Sequence, residues 1–305
     1  MASSDDRTVL LLGATGQVGH ELRRTLAPLG TLHTPDRDTA DLAAPRTLHR
    51  TVREVAPDVI VNAAAYTDVD GAEDDPERAH ALNAEAPGVL AEAARTAGAW
   101  LIHYSTDYVF DGTKQAPYVE TDETNPINAY GRTKREGEQA IQEVGGRYVI
   151  LRTSWVYSAR RSNFLRTMRR LADTHDRLTV VDDQIGSPTW AGWIAEATQA
   201  VVHQLGEDPS VGGTYHLASA GQTSWYGFAR AIFAQYDRSD VVVEPVSSEE
   251  YPTAAARPAY TVLCSERVRD TFGVDVPSWT EQLAQHVRRT REDTALKPRA
   301  GREGG

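Results

Sequence analysis

The segment Thr8-Val-Leu-Leu-Leu-Gly-Ala-Thr-Gly-Gln-Val-Gly19 is a short apolar run that leads into a turn with a glycine at every third position. A short apolar run is typical of a strand that is buried on both faces of a parallel sheet. Gly13, Gly16 and Gly19 fall where strand changes to helix, so the backbone can approach a pyrophosphate that helix N–H groups bind. The Gly-x-x-Gly-x-x-Gly spacing differs from the more general Gly-x-Gly-x-x-Gly, and a plain tight turn is the alternative. Strand, glycines and helix together predict a dinucleotide-binding turn.

The rest of the first half alternates strands and helices at a similar spacing. Further strands are predicted at 31–34, 58–62, 100–105 and 148–152. Helices are predicted at 45–56, at 76–98 with an interruption at Pro87 as an alternative, and from Tyr130 to about Val144. This alternation predicts an α/β fold of the Rossmann type, with a doubly wound parallel sheet.

The regular alternation weakens after about residue 158. We therefore predict a dinucleotide-binding Rossmann domain at 1–160, which the chain re-enters near 189–217. A smaller C-terminal domain at 161–293 is predicted to be mainly substrate-binding. Residues 294–305 are polar and rich in glycine, which predicts a disordered tail.

Composition limits the class of protein. The chain has 305 residues and a formal net charge of −11, whereas a general nucleic-acid binder carries a basic patch. Its N-terminus has no apolar signal core, no run of about 18 apolar residues occurs, and Cys264 is the only cysteine. The nine histidines show no paired spacing typical of metal ligands. We expect a cytoplasmic protein with neither nucleic acid nor membrane as partner.

Tyr130-Gly-Arg-Thr-Lys134 is the second informative segment, because lysine is scarce in this chain. Of 32 basic residues only Lys114, Lys134 and Lys297 are lysine. At a spacing of four on a helix, the phenol and the ammonium lie on one face. A cation beside a phenol favours the phenolate, which predicts a proton-transfer tyrosine with a lowered pKa. The alternative for Lys134 is a solvated helix residue.

Asp36 and Arg37 lie near the expected end of the second strand. A carboxylate at this place binds the adenosine ribose hydroxyls of NADH, whereas an arginine accommodates the 2′-phosphate of NADPH. Because the two residues are adjacent, both NADPH and NADH are predicted as cofactors. A solvated loop pair is the alternative.

Taken together, the chain resembles the extended short-chain dehydrogenase/reductases, and more closely the dTDP-4-dehydrorhamnose reductase family. The resemblance spans about residues 8–260. The motifs that carry it are Gly13-Ala-Thr-Gly-Gln-Val-Gly19, Val59-Ile-Val-Asn-Ala-Ala-Ala-Tyr-Thr67, His103-Tyr-Ser-Thr-Asp-Tyr-Val-Phe-Asp-Gly112, Tyr130-Gly-Arg-Thr-Lys134, Arg152-Thr-Ser-Trp-Val-Tyr157 and Asp182-Asp-Gln-Ile-Gly-Ser-Pro188.

The resemblance implies catalytic and substrate-binding roles. Tyr130 would be the general acid, Lys134 its partner and ribose anchor, and Thr106 a third catalytic hydroxyl. Asp107 and Trp155 would contact the hexose, and Arg257 would lie near the substrate diphosphate. Plain alternatives exist: Trp155 could be an ordinary core residue, and Thr106 and Asp107 could only cap a turn.

The resemblance also implies the cofactor site. Gly16, Gln17 and Val18 would bind cofactor phosphate, and Asp36 the adenosine ribose. The other expected cofactor contacts are Asp41 and Leu42 near the adenine, and Ala65, Tyr66, Thr67 and Tyr104 along the cofactor. Tyr104 could instead be a buried strand tyrosine.

The resemblance implies reduction of the C4 ketone of a dTDP-4-dehydro-6-deoxyhexose with NADPH or NADH, with dTDP-4-dehydrorhamnose and its product dTDP-L-rhamnose as the first choice. Related dehydratases carry Thr-Asp-Glu where this chain has Thr106-Asp-Tyr108, so the base for elimination is missing. The alternatives are a 4-ketoreductase for another dTDP-deoxysugar in antibiotic biosynthesis, and a non-catalytic dinucleotide-binding regulatory subunit. Some family members need Mg²⁺, which is linked to contacts in a homodimer. The resemblance alone therefore suggests Mg²⁺ and a homodimer for this chain.

Overall fold

The computed structural model describes residues 7–295 of the chain. Its strands are β1 (Arg7–Leu12), β2 (Gly30–His33), β3 (Val59–Asn62), β4 (Trp100–Thr106), β5 (Arg147–Thr153), β6 (Val156–Tyr157), β7 (Arg177–Val181), β8 (Ile185–Gly186), β9 (Thr189–Trp190), β10 (Gly213–His216), β11 (Thr223–Ser224) and β12 (Val242–Val246). Its α-helices are α1 (Gln17–Leu26), α2 (Pro45–Val55), α3 (Gly71–Asp74), α4 (Pro76–His80), α5 (Ala86–Ala97), α6 (Ala129–Val144), α7 (Phe164–Ala172), α8 (Ala191–Gln204), α9 (Trp225–Gln235), α10 (Glu266–Phe272) and α11 (Trp279–Ala295).

Six parallel strands form the central sheet, in the order β10-β5-β4-β3-β1-β2. Alternate residues of β1 enter opposite cores: Val9 and Leu11 belong to one apolar cluster, Leu10 and Leu12 to the other. Helices α1 and α8 contribute to the first cluster, and α2, α5 and α6 to the second. Both faces of the sheet are therefore covered, which confirms the doubly wound Rossmann-type prediction.

The predicted helix at 76–98 is helical throughout but changes its winding in the middle. A single π turn, Ala81–Glu85, joins α4 to α5. Pro87 cannot donate to the carbonyl oxygen of Asn83, so this oxygen is left for another neighbour. A side chain at Gly137 would lie only 2.0 Å from that oxygen, and glycine therefore lets α6 pack closely against the turn.

Beyond β5 the chain builds three small two-stranded sheets beside the central one. They pair β6 with β9, β7 with β12, and β8 with β11. Helix α8 and strand β10 then lie against the central sheet, where β10 pairs with β5. The domain limits at 1–160 and 161–293 stay a prediction. Of the predicted tail, residues 296–305 lie outside the described residues, and 294–295 end α11.

None of the described helices combines the length and the apolar character of a membrane-spanning segment.

Candidate active site

A large cleft opens at the carboxyl ends of the central strands, where the chain order of the sheet reverses between β1 and β3. Ligands of doubly wound sheets bind in this crevice. Its volume is about 1070 Å³. The predicted site residues that line it are Gly13, Gly16, Gln17, Val18, Arg37, Ala65, Thr67, Tyr104, Thr106, Asp107, Tyr130, Lys134, Trp155 and Arg257.

The glycine turn fits the approach of a dinucleotide. Gly13 has φ +76°, and a Cβ there would lie 2.6 Å from the backbone of Ala63 and Ala64. Gly16 is the N-cap residue of α1 and provides no side-chain cap, so the first N–H groups of the helix are left for an anion at the cleft. Gly19 is placed differently from our prediction: it does not line the cleft. A Cβ at Gly19 would lie 2.0 Å from the Gly13 carbonyl oxygen, so this glycine lets α1 pack on the turn.

Gln17 is fixed by residues from the far side of the cleft. Its Oε1 accepts hydrogen bonds from Ser158 Oγ at 2.9 Å and from Asn163 Nδ2 at 2.8 Å. Arg161 Nε donates to the Thr15 carbonyl oxygen at 3.0 Å. Sequence reasoning missed Ser158, Arg161 and Asn163. The Asn163 side chain also caps α7, and this N-cap position was the only local signal for it.

The residues predicted around the adenosine separate into two groups. Arg37 lines the cleft, and its Nε lies 3.3 Å from Asp41 Oδ1. Asp36 does not line the cleft: its Oδ1 accepts the Thr39 backbone N–H at 3.0 Å, and hydrogen bonds from Thr39 lower the pKa of its carboxyl. Leu42 packs against the second apolar cluster. The contacts of Asp36, Asp41 and Leu42 with the cofactor stay a prediction.

The strand-end segment after β3 is held by the π turn. Asn83 accepts the backbone N–H of Tyr66 at 2.9 Å and donates to its carbonyl oxygen at 3.0 Å. These two hydrogen bonds to the Tyr66 backbone place Ala65 and Thr67 at the cleft wall. Tyr66 itself does not line the cleft but packs against a small apolar cluster of Ala72, Ala79 and Ala129, and its contact with the cofactor stays a prediction.

Tyr130 faces the cleft beside a group of buried oxygens. Burial raises the pKa of its phenol to about 12, while the neighbouring Thr106 hydroxyl lowers it in part. Thr106 Oγ1 donates to Asp107 Oδ1 at 3.0 Å, and Ser154 Oγ donates to Asp107 Oδ2 at 2.9 Å. Burial raises the pKa of Asp107 to about 6. Thr106 also accepts the Tyr108 N–H, so it caps a turn as well as facing the tyrosine.

Lys134 lies 2% exposed beneath this group. Its Nζ is 2.6 Å from the Tyr104 carbonyl oxygen and 3.1 Å from His103 Nε2. Burial lowers the pKa of the ammonium to about 8. Burial is the largest cause of the raised Tyr130 pKa, and the lowering of this pKa by Lys134 stays a prediction.

Trp155 forms the aromatic wall of the cleft. Its indole stacks on Trp225 with ring centroids 3.5 Å apart and an interplanar angle of 3°. Trp155 has φ +44°, a left-handed conformation that costs about 1–3 kcal/mol for a bulky residue. Gly186 supports the ring from behind, because a Cβ there would lie 2.4 Å from Trp155 Cε2. Trp225 also lines the cleft, and no motif in the sequence marks it.

The two remaining predicted residues connect different parts of the fold. Tyr104 is 9% exposed, and its hydroxyl pairs with Thr198 Oγ1 at 2.6 Å. Arg257 binds Asp70 through both terminal nitrogens, at 2.9 and 2.8 Å. Asp70 was not predicted, although its carboxylate lies in the segment that follows β3.

A glycine turn at the switch point of a parallel sheet, facing a tyrosine and a lysine four residues apart on one helix, defines a nicotinamide-dependent oxidoreductase of the extended short-chain class. The family model described as RmlD substrate binding domain matches residues 7–292. The chain belongs to the dTDP-4-dehydrorhamnose reductase family.

Individual relatives agree with this family. A dTDP-4-dehydrorhamnose reductase of Burkholderia thailandensis is 48% identical over 291 residues, which cover 92% of this chain and 98% of that protein. The crystal structure of a dTDP-4-dehydrorhamnose reductase from Bacillus anthracis in complex with NADP has a TM-score of 0.88 at 37% identity, covering 93% of this chain and 99% of that one. A probable dTDP-4,6-dihydroxy-2-methyloxan-3-one 4-ketoreductase of Streptomyces antibioticus is 39% identical over 278 residues, 90% of this chain and 93% of that protein.

The cleft fits a dinucleotide, but the described residues do not offer a matching set of ligands for a magnesium ion. Across residues 7–295, no group of three or more His, Cys, Asp or Glu side chains could hold a metal ion.

Proposed function

We propose that the protein reduces the C4 ketone of dTDP-4-dehydrorhamnose to give dTDP-L-rhamnose, with NADPH as the preferred cofactor and NADH as the alternative. The observation that carries the proposal is the juxtaposition of Tyr130 and Thr106 at the cleft that holds the glycine turn. The 48% identity to a reductase of this name supports the choice of sugar.

Tyr130 acts as the proton donor. A nicotinamide cofactor in the cleft supplies the hydride that adds to C4. Tyr130 gives its phenolic proton to the oxygen that was the ketone, so that the carbonyl becomes a secondary alcohol. Since the pKa of Tyr130 is raised to about 12, the phenol holds this proton at neutral pH. Thr106, whose hydroxyl donates to Asp107, lies beside the phenol and lowers its pKa in part.

Elimination of water is disfavoured by the side chain that follows Asp107. Tyr108 stands where a dehydratase has its glutamate, and burial raises the pKa of its phenol above 10.0. A neutral phenol cannot take a proton from carbon as a carboxylate can. The site therefore favours simple reduction.

The cofactor preference follows from the unequal placement of Asp36 and Arg37. Only Arg37 lines the cleft, and its side chain is 65% exposed and thus open to a 2′-phosphate. The NADP complex of the Bacillus anthracis relative supports the same preference. Gly16, Gln17 and Val18 would hold the pyrophosphate at the start of α1.

The substrate would occupy the other end of the cleft. Thr106, Asp107 and Trp155 offer hydroxyl, carboxyl and indole groups to a hexose. Arg257 offers a guanidinium to the diphosphate, in competition with Asp70.

A second candidate is a 4-ketoreductase for a different dTDP-deoxysugar. The 39% identity to the Streptomyces antibioticus ketoreductase favours it. Incubation with NADPH and a panel of dTDP-4-dehydro-6-deoxysugars, followed at 340 nm in absorbance and by NMR of the product, separates the two. If the protein is instead a non-catalytic regulatory subunit, it should bind NADPH in this experiment but turn over none of the sugars.

Three further properties belong to the proposal. We infer a homodimer, which light scattering tests, and a cytoplasmic location, which the lone Cys264 supports. A requirement for Mg²⁺ rests on resemblance alone, and loss of activity in EDTA with recovery in Mg²⁺ would be its mark.

A further inference from the structure

Arg161 reaches across the cleft from the segment between β6 and α7. Its Nε donates to the Thr15 carbonyl oxygen at 3.0 Å, and both residues line the cleft. Thr15 directly precedes Gly16, the N-cap residue of α1. The guanidinium is therefore anchored at the place where the glycine turn meets the first N–H groups of the helix.

The terminal nitrogens of this guanidinium are not used within the protein. A guanidinium carries its N–H donors in a rigid planar fork. The Nε–H is taken by Thr15, and across residues 7–295 no hydrogen bond or ion pair occupies the two terminal nitrogens. These nitrogens form the end of the fork, which can bind two oxygens of a phosphate group at once.

The other arginines of the cleft are already paired with carboxylates. Arg37 Nε lies 3.3 Å from Asp41 Oδ1, and Arg257 binds Asp70 through both terminal nitrogens. Of the three arginines that line the cleft, Arg161 is the one without a carboxylate partner in the part of the chain that the structure describes. The first turn of α1 also contains no acidic residue. In a chain with a net charge of −11, this leaves a locally positive place for an anion.

The backbone at Arg161 suits a glycine better than an arginine. Arg161 has φ +56°, in the left-handed region where a residue with a Cβ is strained. Its carbonyl oxygen accepts from Arg166 Nη1 at 3.1 Å, and the nearby Asn163 donates to Gln17 Oε1 at 2.8 Å, so the segment is held in place. Because glycine would adopt this conformation without strain, we expect the arginine side chain to have a use at the cleft.

We propose that Arg161 binds the pyrophosphate of the dinucleotide from the side of the cleft opposite α1. The N–H groups at the start of α1 hold the anion on one side, and the terminal nitrogens of Arg161 hold it on the other. This inference rests on the proposed placement of the pyrophosphate at the start of α1. It gives Arg161 a role distinct from that of Arg37, which faces the 2′-phosphate that only NADPH carries.

Ligand binding without any sugar tests the proposal. ADP-ribose carries the pyrophosphate but no nicotinamide, and calorimetric titration gives its Kd beside those of NADH and NADPH. Failure of the proposed ketone reduction would leave these Kd values, and the inference, unaffected. If the wild-type protein does not bind ADP-ribose, both the pyrophosphate site and the role of Arg161 are wrong.

Two variants separate the charge of Arg161 from its hydrogen bond to Thr15. In Arg161→Gln the amide nitrogen takes the place of Nε and can still donate to Thr15, but the charge is lost. We expect the Kd of ADP-ribose, NADH and NADPH to rise by the same factor, about 5- to 20-fold, since solvent screens this exposed guanidinium. Arg161→Lys keeps a cation that can bind phosphate, and its Kd values should rise by less than about threefold.

Arg160→Gln is the matched control. Arg160 is the neighbouring exposed arginine, but it does not line the cleft. Removing its charge should change the Kd of ADP-ribose by less than about twofold, because solvent and salt screen a charge that makes no contact. If Arg161→Gln binds ADP-ribose like the wild type, Arg161 only ties its segment to Thr15, and the proposal is wrong. An equal loss in Arg160→Gln, or a loss confined to NADPH, would also overturn it.

Discussion

Arg257 and Asp70 form a two-point ion pair that joins the segment after β3 to the segment before α10. Asp70 Oδ1 also accepts the backbone N–H of Ala255 at 2.9 Å. Both residues line the cleft. A diphosphate that binds Arg257 must share the guanidinium with this carboxylate or displace it.

The first prediction concerns this pair. Arg257→Ala should weaken the free energy of dTDP binding by about 1.5–3 kcal/mol, because a charged hydrogen bond is lost. The KM should rise accordingly, with a smaller change in kcat. Asp70→Asn should instead tighten dTDP binding, because it removes a negative charge that competes for the arginine. Calorimetric titration with dTDP measures both. Arg269→Ala, which removes an exposed arginine paired with Asp270, is the control. Weaker binding in Asp70→Asn would mean that the carboxylate serves to orient Arg257.

The second prediction tests the proton donor. Tyr130→Phe should bind NADPH normally and lose about 10²- to 10⁴-fold in kcat, the usual contribution of a general acid. Tyr251→Phe, at an exposed tyrosine, should behave as the wild type. Stopped-flow measurement of NADPH oxidation gives the comparison, and near-normal turnover by the Tyr130 variant would rule out the assigned role.

The third prediction concerns cofactor choice. Arg37→Ala should weaken NADPH by about 1–3 kcal/mol and leave NADH nearly unchanged, because only NADPH carries the 2′-phosphate. Asp36→Ala should change neither affinity much, since its carboxylate caps a turn through Thr39. Fluorescence titration with both cofactors decides the matter. An equal loss for the two cofactors in Arg37→Ala would show that the arginine does not contact the phosphate.

The fourth prediction links Asp107 to stability. Burial raises its pKa in the folded protein from 3.8 to about 6. The folded state therefore binds this proton more tightly than the unfolded state, and the stability that it contributes below pH 4 is lost as pH rises through 6. The difference corresponds to at most about 3 kcal/mol. Asp107→Asn, which carries no charge, should raise the free energy of unfolding more at pH 8 than at pH 4.5. Urea denaturation at the two pH values measures this, and an equal effect at both would contradict it.

The sequence predicted those parts of the site that depend on local chain geometry. Gly13 and Gly16 sit at the turn after β1 because strand, turn and helix are consecutive in the chain. Tyr130 and Lys134 share a face because they are one helical turn apart.

What the sequence could not predict depends on distant partners or on single torsions. Asp36 caps its own turn, a choice that Thr39 decides three residues later. Trp225 meets Trp155 across 70 positions of chain, and nothing local marks it. His103 lies fully buried within β4 and has the pattern of a core residue until Lys134 is seen beside it.

The late return of the chain to the central sheet has a consequence for synthesis. Strand β10 covers the edge of β5, and α8 packs on α1, with Arg24 of α1 donating to Glu196 of α8 at 3.0 Å. On a ribosome, residues 7–153 emerge long before 191–216. During that interval the nascent chain carries an open strand edge at β5 and an uncovered apolar face at α1, the two features by which partly made chains associate wrongly.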